Sequence, residues 1–251
     1  LSIALFTDIF KNAGYVVRLF DSTPYVTDDT SSPEKRVKYL QARDFSYDED
    51  LGVVPRFDLV DDFVRTVEEF EPDFMVVSCV EDTFLQAVKL VHSVLDRRIP
   101  TIFGGVFLTA VPELALSYEG VDMIGLQEGE ETLLEVAERI RMGQPVDDVP
   151  SVWLKRADGT VVRNPNGPLV DISASEYFSD FSLFDESRFN RPMGGQIFKT
   201  LPVETYRGCP YQCSFCNSPM QLKLARESGR GSFLRKKTMA NLAAKLRKLV
   251  G

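Results

Sequence analysis

Three of the chain's four cysteines, Cys209, Cys213 and Cys216, fall within eight positions of the segment "CPYQCSFC". A thiolate is a soft, charged ligand, so three in one tight loop repel one another unless a metal neutralises them. A structural zinc site takes four protein ligands, and the other candidates, Cys79 and the single histidine His92, lie far away in the sequence. An iron-sulfur cluster of four irons held by three cysteines instead leaves one iron open, where a substrate or cofactor can coordinate. The C-x3-C-x2-C spacing also differs from the ferredoxin run C-x2-C-x2-C and from the paired C-x2-C of zinc knuckles. A zinc or simple electron-transfer centre is the alternative reading. Cys79, ending an apolar run, reads as a small buried hydrophobe. His92, within "LVHSVLDRR", reads as a surface or packed helical residue.

These cysteines must be positioned by the elements around them. Up to about residue 145, amphipathic helical stretches alternate with short apolar runs, the pattern of a parallel sheet covered by helices. A helix ends at Gly14, "YVVRLFD" follows as a strand, and the polar stretch 22–57 is long for a connection, although Ser32, Pro33 and Glu34 can start a short helix. Then come helix 58–70, strand "DFMVVSC", helix 84–97, strand "PTIFGG", a short helix from Pro112, strand "VDMIG" and helix 130–142. The strands "DFMVVSC" and "PTIFGG" are apolar on both faces, as buried parallel strands are. A doubly wound α/β sheet is expected. Its usual central first strand is expected before residue 1, because the chain opens on Leu1 within a helical pattern. Asp158-Gly159 marks a hairpin over 151–163. The stretch to about residue 200 reads as a linker packed by its aromatics, "LPVETY" as a strand running into the cysteines, and Met239, Leu242, Ala243, Leu246, Leu249 and Val250 as one apolar helical stripe. Three segments result: 1–145, 146–200 and 201–251.

Small-molecule sites in open parallel sheets lie at the carboxyl ends of the strands. Those ends carry "VEDT" (80–83), "GGVF" (104–107) and "GLQEGEE" (125–131). Gly104 and Gly105 either let a ligand approach the backbone or serve ordinary turns. Gly129 opens a helix whose amino end can face a polar ligand group.

The 251 residues exceed one average domain, and 44% hydrophobic content suits a sizeable core. No apolar run approaches the roughly 18 residues that cross a bilayer, and no secretory signal opens the chain. A cytoplasmic location and no membrane partner are expected, and reduced thiols there favour metal chemistry over disulfides. Of the 29 basic and 37 acidic residues, 10 and 1 fall within 205–251. That basic tail reads first as a solvated helix face; nucleic acid is the lesser reading and is not expected as a partner.

"CPYQCSFC" closely resembles the cluster motif of the radical S-adenosylmethionine (SAM) family. The resemblance implies a 4Fe-4S cluster on Cys209, Cys213 and Cys216, with SAM on the open iron and Phe215 beside SAM. It also implies a partial or full α/β barrel, whose first strand, loop and helix would be "LPVETYRG", the cysteines and "KKTMANLAAKLRKLV". The stretch "FGGVFLTAVPELAL...VDMIGLQEGEETLLEVAERI" resembles the cobalamin-binding domain found ahead of that barrel in one large class, and the hairpin and aspartate-rich linker match the class too. By this resemblance, cobalamin lies against Glu81, Asp82, Thr83, Gly104, Gly105, Val106, Phe107, Gln127, Glu128 and Gly129. Phe107 stands where the family often has His, and Gln127 where it often has Gly. The D-x-H-x-x-G motif is absent, so no histidine is expected on the cobalt. The fold expected is thus a doubly wound, Rossmann-like domain of cobalamin-binding type, then a hairpin and linker, then the start of a radical SAM barrel. The implied activity is that of a cobalamin-dependent radical SAM enzyme, with methyl transfer to an unactivated carbon as the commonest outcome. Its implied partners are a small-molecule or peptide substrate and a reductant such as flavodoxin or ferredoxin. The alternative is a cobalamin or small-molecule sensor module with a non-catalytic cluster.

Overall fold

Helix α1 (Ser2–Asn12) buries Ala4, Ile9 and Phe10 along with Thr7 and Asp8. It stops because Gly14 takes φ +85, which lets Tyr15 N–H reach the Phe10 carbonyl at 2.9 Å and Gly14 N–H reach that of Lys11 at 3.0 Å. Left-handed closure of this kind satisfies carbonyls that a helix end otherwise orphans. The computed structural model describes residues 1–27, 46, 48–173, 177–227 and 231–250. The predicted helix start at Ser32, Pro33 and Glu34 lies outside the described residues.

The chain divides into two compact units, one of Leu1–Val16, Pro72–Asp180 and Glu204–Gly251, the other of Val17–Glu71 and Phe181–Val203. The first holds a five-stranded sheet: β1 (Met75–Ser78), β2 (Thr101–Gly104), β3 (Met123–Gly125), β4 (Val152–Lys155) and β5 (Val161–Arg163), side by side in that order. β1, β2 and β3 run parallel, while β4 and β5 are antiparallel. Helices α3 (Glu81–His92), α4 (Val106–Ala110), α5 (Pro112–Leu116) and α6 (Glu130–Arg141) follow the parallel strands; α2 (Leu59–Phe70) belongs to the second unit. Ile102 and Phe103 are adjacent on β2 and both fully buried. Strand alternation puts them on opposite faces, so both faces are covered, as in a doubly wound sheet. Phe103 and its register neighbour Ile124 anchor a core with Phe84, Val91, Leu108, Leu116 and Val121. The Phe84 ring meets Phe107 at 5.2 Å and Tyr118, edge-on, at 5.2 Å.

Several expectations need correction. "YVVRLFD" is not a strand: no ladder includes residues 15–21 among the described residues. An extended segment needs a hydrogen-bonded neighbour to count as one, and none is described beside it. Helix 84–97 starts earlier and breaks after His92, where Ser93 Oγ donates back to the Leu90 carbonyl at 2.7 Å and a short 3-10 turn (Leu95–Arg97) follows. The hairpin at Asp158-Gly159 forms as expected, and the antiparallel β3–β4 pairing joins it to the parallel strands.

The second unit contains α2 (Leu59–Phe70) and a 3-10 turn at Glu186–Phe189. It also contains a hairpin of β6 (Asn190–Met193) and β7 (Gln196–Lys199). Phe181, Phe184 and Phe189 pack edge to face at 5.5–5.9 Å, so the aromatic packing read from the sequence is present. The hairpin was missed, although Gly194-Gly195, both at positive φ, is a two-residue turn signal.

Back in the first unit, β8 is only Tyr206–Arg207 and pairs antiparallel with β9 (Arg235–Lys236). Of the strand expected over "LPVETY", only Tyr206 joins a ladder among the described residues. Helix α7 (Ser218–Glu227) follows the cysteines and α8 (Met239–Val250) follows β9. The apolar stripe on α8 is only partly covered: Met239 and Leu246 are exposed, and among the described side chains of the helix the buried one is Lys245.

Candidate functional site

The carboxyl ends of β1, β2 and β3 bring together the three segments singled out in the sequence. Most of the glycines and polar groups there have a definite duty. Gly105 has φ +134, and a Cβ on it would lie 2.1 Å from the Cys79 carbonyl oxygen. The glycine is demanded by the neighbouring strand's backbone, whatever binds above it. Gly104 is roomier, its nearest neighbour being the Gly125 carbonyl oxygen at 3.9 Å. Thr83 Oγ1 accepts the Val80 N–H at 3.1 Å and so caps α3, while exposed Glu81 and Asp82 occupy that helix's first turn, where carboxylates suit the positive helix end. Phe107 is committed to the core against Phe84. Gln127 adopts φ +66, and its N–H donates to Thr109 Oγ1 at 2.9 Å. The family's frequent glycine at this position thus has a physical reason, a left-handed backbone. Gly129 packs under Phe6 and Leu133, whose atoms would lie 3.0 and 3.1 Å from a Cβ.

What remains open at this edge is an apolar rim. Val80 is 50% and Val106 42% exposed, and a Cβ on Gly104 would meet nothing closer than 3.9 Å. That surface fits a large cofactor resting on strand ends, and it presents no histidine. His92 lies at the far end of α3, paired with Glu119 at 3.3 Å. An apolar groove of ≈ 630 Å³, lined by Met75, Leu95, Pro100, Met123, Ile140 and Leu154 among others, opens instead at the amino ends of the strands, and has no part in this edge.

Glu128 does something the sequence did not disclose. Its carboxylate receives Arg235 through two nitrogens, at 2.8 and 2.5 Å, and Arg207 at 3.1 Å. The Val170 N–H adds a bond of 2.8 Å. Arg207 also reaches Glu130 at 2.7 Å and grips Glu204 with Nε at 2.9 Å and a terminal nitrogen at 3.1 Å. Lys237 meets Glu204 at 3.1 Å. Burial pushes the Glu128 carboxyl up, but the Arg235 hydrogen bonds, the Arg207 charge and the Val170 N–H outweigh it and hold the group below its ordinary value. Burial likewise opposes the Arg207 charge, and its three carboxylates prevail, raising its pKa. Four of the ten basic residues in 205–251, Arg207, Arg235, Lys237 and Lys245, are buried or half-buried in or beside this cluster, so the basic tail is not simply a solvated helix face. Residue-type spacing could not reveal it, since Glu128 and Arg235 are 107 residues apart.

The cysteine loop begins where Arg207 ends. Gly208 has φ +92, and a Cβ there would lie 2.1 Å from the Phe233 carbonyl oxygen, so the loop leaves β8 tightly against the returning chain. Cys209 is half-buried, Cys213 and Cys216 are exposed, and all three are free thiols. Cys216 N–H donates to the Cys213 carbonyl at 3.2 Å, and Ser218 N–H to Cys216 Sγ at 3.4 Å. Such N–H donors to sulfur tune iron-sulfur centres. Phe215 is 91% exposed in the same loop. Among the described residues, no group of three or more His, Cys, Asp or Glu side chains already converges as a metal shell. The donor set still fits a cluster, being three unpaired thiols on one accessible loop. Cys79 is apart from all this: it is 5% exposed and burial pushes its thiol up to about 11, an inert core residue.

Fold and site define a cofactor-binding α/β domain, open at its strand ends and joined to a cysteine-bearing loop. The chain belongs to the B12-binding domain family, whose pattern matches residues 3–137. It is similar to the uncharacterized methyltransferase PH0819 of Pyrococcus horikoshii, 24% identical over 163 residues, which are 64% of this chain and 34% of that protein. It is also similar to cytidylyl-2-hydroxyethylphosphonate methyltransferase of Streptomyces wedmorensis, 23% identical over 190 residues, covering 63% of this chain and 35% of that one. The chain thus spans about a third of the length of these relatives. Its fold resembles that of the radical SAM methyltransferase TsrM of Kitasatospora setae, solved with cobalamin and a [4Fe-4S] cluster bound, with TM-score 0.59 and 14% identity over 99% of this chain and 42% of TsrM. No helix among the described residues is long and apolar enough to cross a membrane.

Proposed function

We propose that this chain is the cobalamin- and cluster-bearing part of a radical SAM enzyme, with methyl transfer as its reaction class. The observation that carries the reading is the trio Cys209, Cys213 and Cys216, free and accessible on one loop, in a chain of the B12-binding family. Those thiols would hold a 4Fe-4S cluster, and Phe215, fully presented on the loop, would lie against SAM. When bound, the cluster and SAM supply radical chemistry, and cobalamin carries the methyl group. The chain's own part is placement: Val80, Gly104 and Val106 offer an apolar edge for cobalamin, while Gly105, Thr83 and Thr109 keep that edge rigid. Of the ten residues expected at cobalamin, Glu81, Asp82, Thr83, Phe107, Gln127 and Gly129 have structural duties beside any contact. Glu128 is bonded to Arg207 and Arg235 beside the cysteine loop. The electron for SAM cleavage would come from a flavodoxin- or ferredoxin-type reductant, and the methyl acceptor would be a small molecule or peptide.

The test is anaerobic reconstitution of the full-length protein with iron and sulfide. A reduced-cluster electron paramagnetic resonance signal that changes on adding SAM, with 5′-deoxyadenosine formed under reductant, is the expected result. Tetrahedral zinc on the three cysteines, or no cluster at all, overturns the reading. Cofactor binding without SAM cleavage would place the protein among sensors.

A further inference from the structure

The ionic cluster around Glu128 lies where the two functional regions meet. Glu128 and Glu130 stand where β3 gives way to α6, at the carboxyl edge of the sheet. Arg207 and Arg235 are register partners on β8 and β9, the ladder from which the cysteine loop springs. Three carboxylates, Glu128, Glu130 and Glu204, face three cations, Arg207, Arg235 and Lys237.

A buried network of this kind adds little net stability over apolar packing of the same volume. It does something apolar packing does not. Forked guanidinium-carboxylate bonds fix angle as well as distance, so the two faces cannot slide. Glu128 with Arg235, and Glu204 with Arg207, are both gripped through two nitrogens. Arg207 is followed at once by Gly208, pressed on the Phe233 carbonyl, and then by Cys209. Two residues of extended chain reach only about 7 Å, so the first thiol inherits the placement of the arginine.

We propose that Glu128, with Arg207 and Arg235, is a positioning device that sets where the cysteine loop stands relative to the carboxyl edge of the sheet. Glu128 on this view holds the loop and does not touch cobalamin. The functional meaning of the device, presenting the thiols to the cofactor on that edge, rests on the proposed function; the mechanical claim does not.

The experiment uses the full-length protein and the variants Glu128→Ala, Glu128→Gln and Arg235→Lys. Amide hydrogen exchange is followed first without cofactors. In Glu128→Ala, residues 206–217 and 233–237 are expected to exchange at least about tenfold faster, the size of a single lost charge-assisted bond among the several that Glu128 makes, while β2 and β3 keep their protection. Glu128→Gln, which retains shape and one acceptor, is expected to fall between, and it decides the matter if the alanine variant does not fold. After reconstitution, a ferrous chelator should strip iron from Glu128→Gln and Arg235→Lys faster than from the parent. Loop exchange unchanged from the parent, or acceleration spread equally over sheet and loop, overturns the proposal. A parent protein that takes no cluster sinks the proposed function, while the exchange result still decides the positioning claim.

Discussion

Replacing Gly105 by alanine asks whether the glycines at the strand ends serve a ligand or the backbone. At φ +134 an L side chain is strained, and its Cβ would sit 2.1 Å from the Cys79 carbonyl oxygen and 3.2 Å from the carbonyl carbon. Ordinary carbon-oxygen contacts are about 3.3–3.6 Å, so one strand end must move by more than an ångström. It cannot move freely, because Cys79 N–H is hydrogen-bonded to the Gly104 carbonyl at 3.1 Å and continues the β1–β2 ladder. The backbone strain costs roughly 1–3 kcal/mol, and forcing a tightly packed site apart costs about as much again. Gly105→Ala is thus expected to lose roughly 3–5 kcal/mol, a large share of a domain's usual ~5–15 kcal/mol. Gly104→Ala is the control: its Cβ would meet the Gly125 carbonyl oxygen at an ordinary 3.9 Å, so it should lose less than about 1 kcal/mol. The assay is urea unfolding of the full-length protein without cofactors, followed by far-ultraviolet circular dichroism, comparing midpoints at unchanged slope. A Gly105→Ala protein within about 1 kcal/mol of the parent, or a Gly104→Ala protein equally weakened, would refute the backbone reading.

Lys245 is 8% exposed, and burial, reinforced by the charge of Lys237, lowers its pKa from 10.5 to about 8. Between about pH 8 and 10.5 the unfolded chain binds this proton more than the folded one, so stability should rise with pH across that window. Lys245→Met should abolish the rise and be more stable than the parent at pH 7; a parent whose urea midpoint is flat or falling over the window contradicts this. Cys79, with its thiol pushed from 9.0 to about 11, carries about a hundredfold less thiolate at neutral pH than an unperturbed cysteine. Iodoacetamide should therefore label Cys209, Cys213 and Cys216 in the cofactor-free protein long before Cys79, with peptide mass mapping as the check; prompt labelling of Cys79 would be the contrary result.

Local chemistry was legible wherever it depended on residues near one another in the chain. The cysteine trio, the Asp158-Gly159 hairpin, the apolar strands and the stop at Gly14 are short-range patterns of ligand spacing, turn geometry and hydrophobic periodicity. Misreadings came where a partner decides. Residues 15–21 have the composition of a strand but no ladder beside them among the described residues, and "LPVETY" yields only Tyr206 of β8, because β9 pairs with no more of it. For Gly105 the sequence leaves a ligand-facing and a turn role open, and the carbonyl of Cys79, 26 positions earlier, demands a glycine there whatever binds above it.

The order of amino acids alone determined that three thiols share a loop, that helices cover a parallel sheet, and that one family pattern runs through the front of the chain. Only the tertiary structure decided that Glu128 belongs to Arg207 and Arg235, and that Lys245 is buried while the apolar residues Met239 and Leu246 on its helix are not. The reason is physical: periodicity reports which side of an element is apolar, whereas ion pairing and desolvation depend on which distant groups the fold brings within a few ångströms.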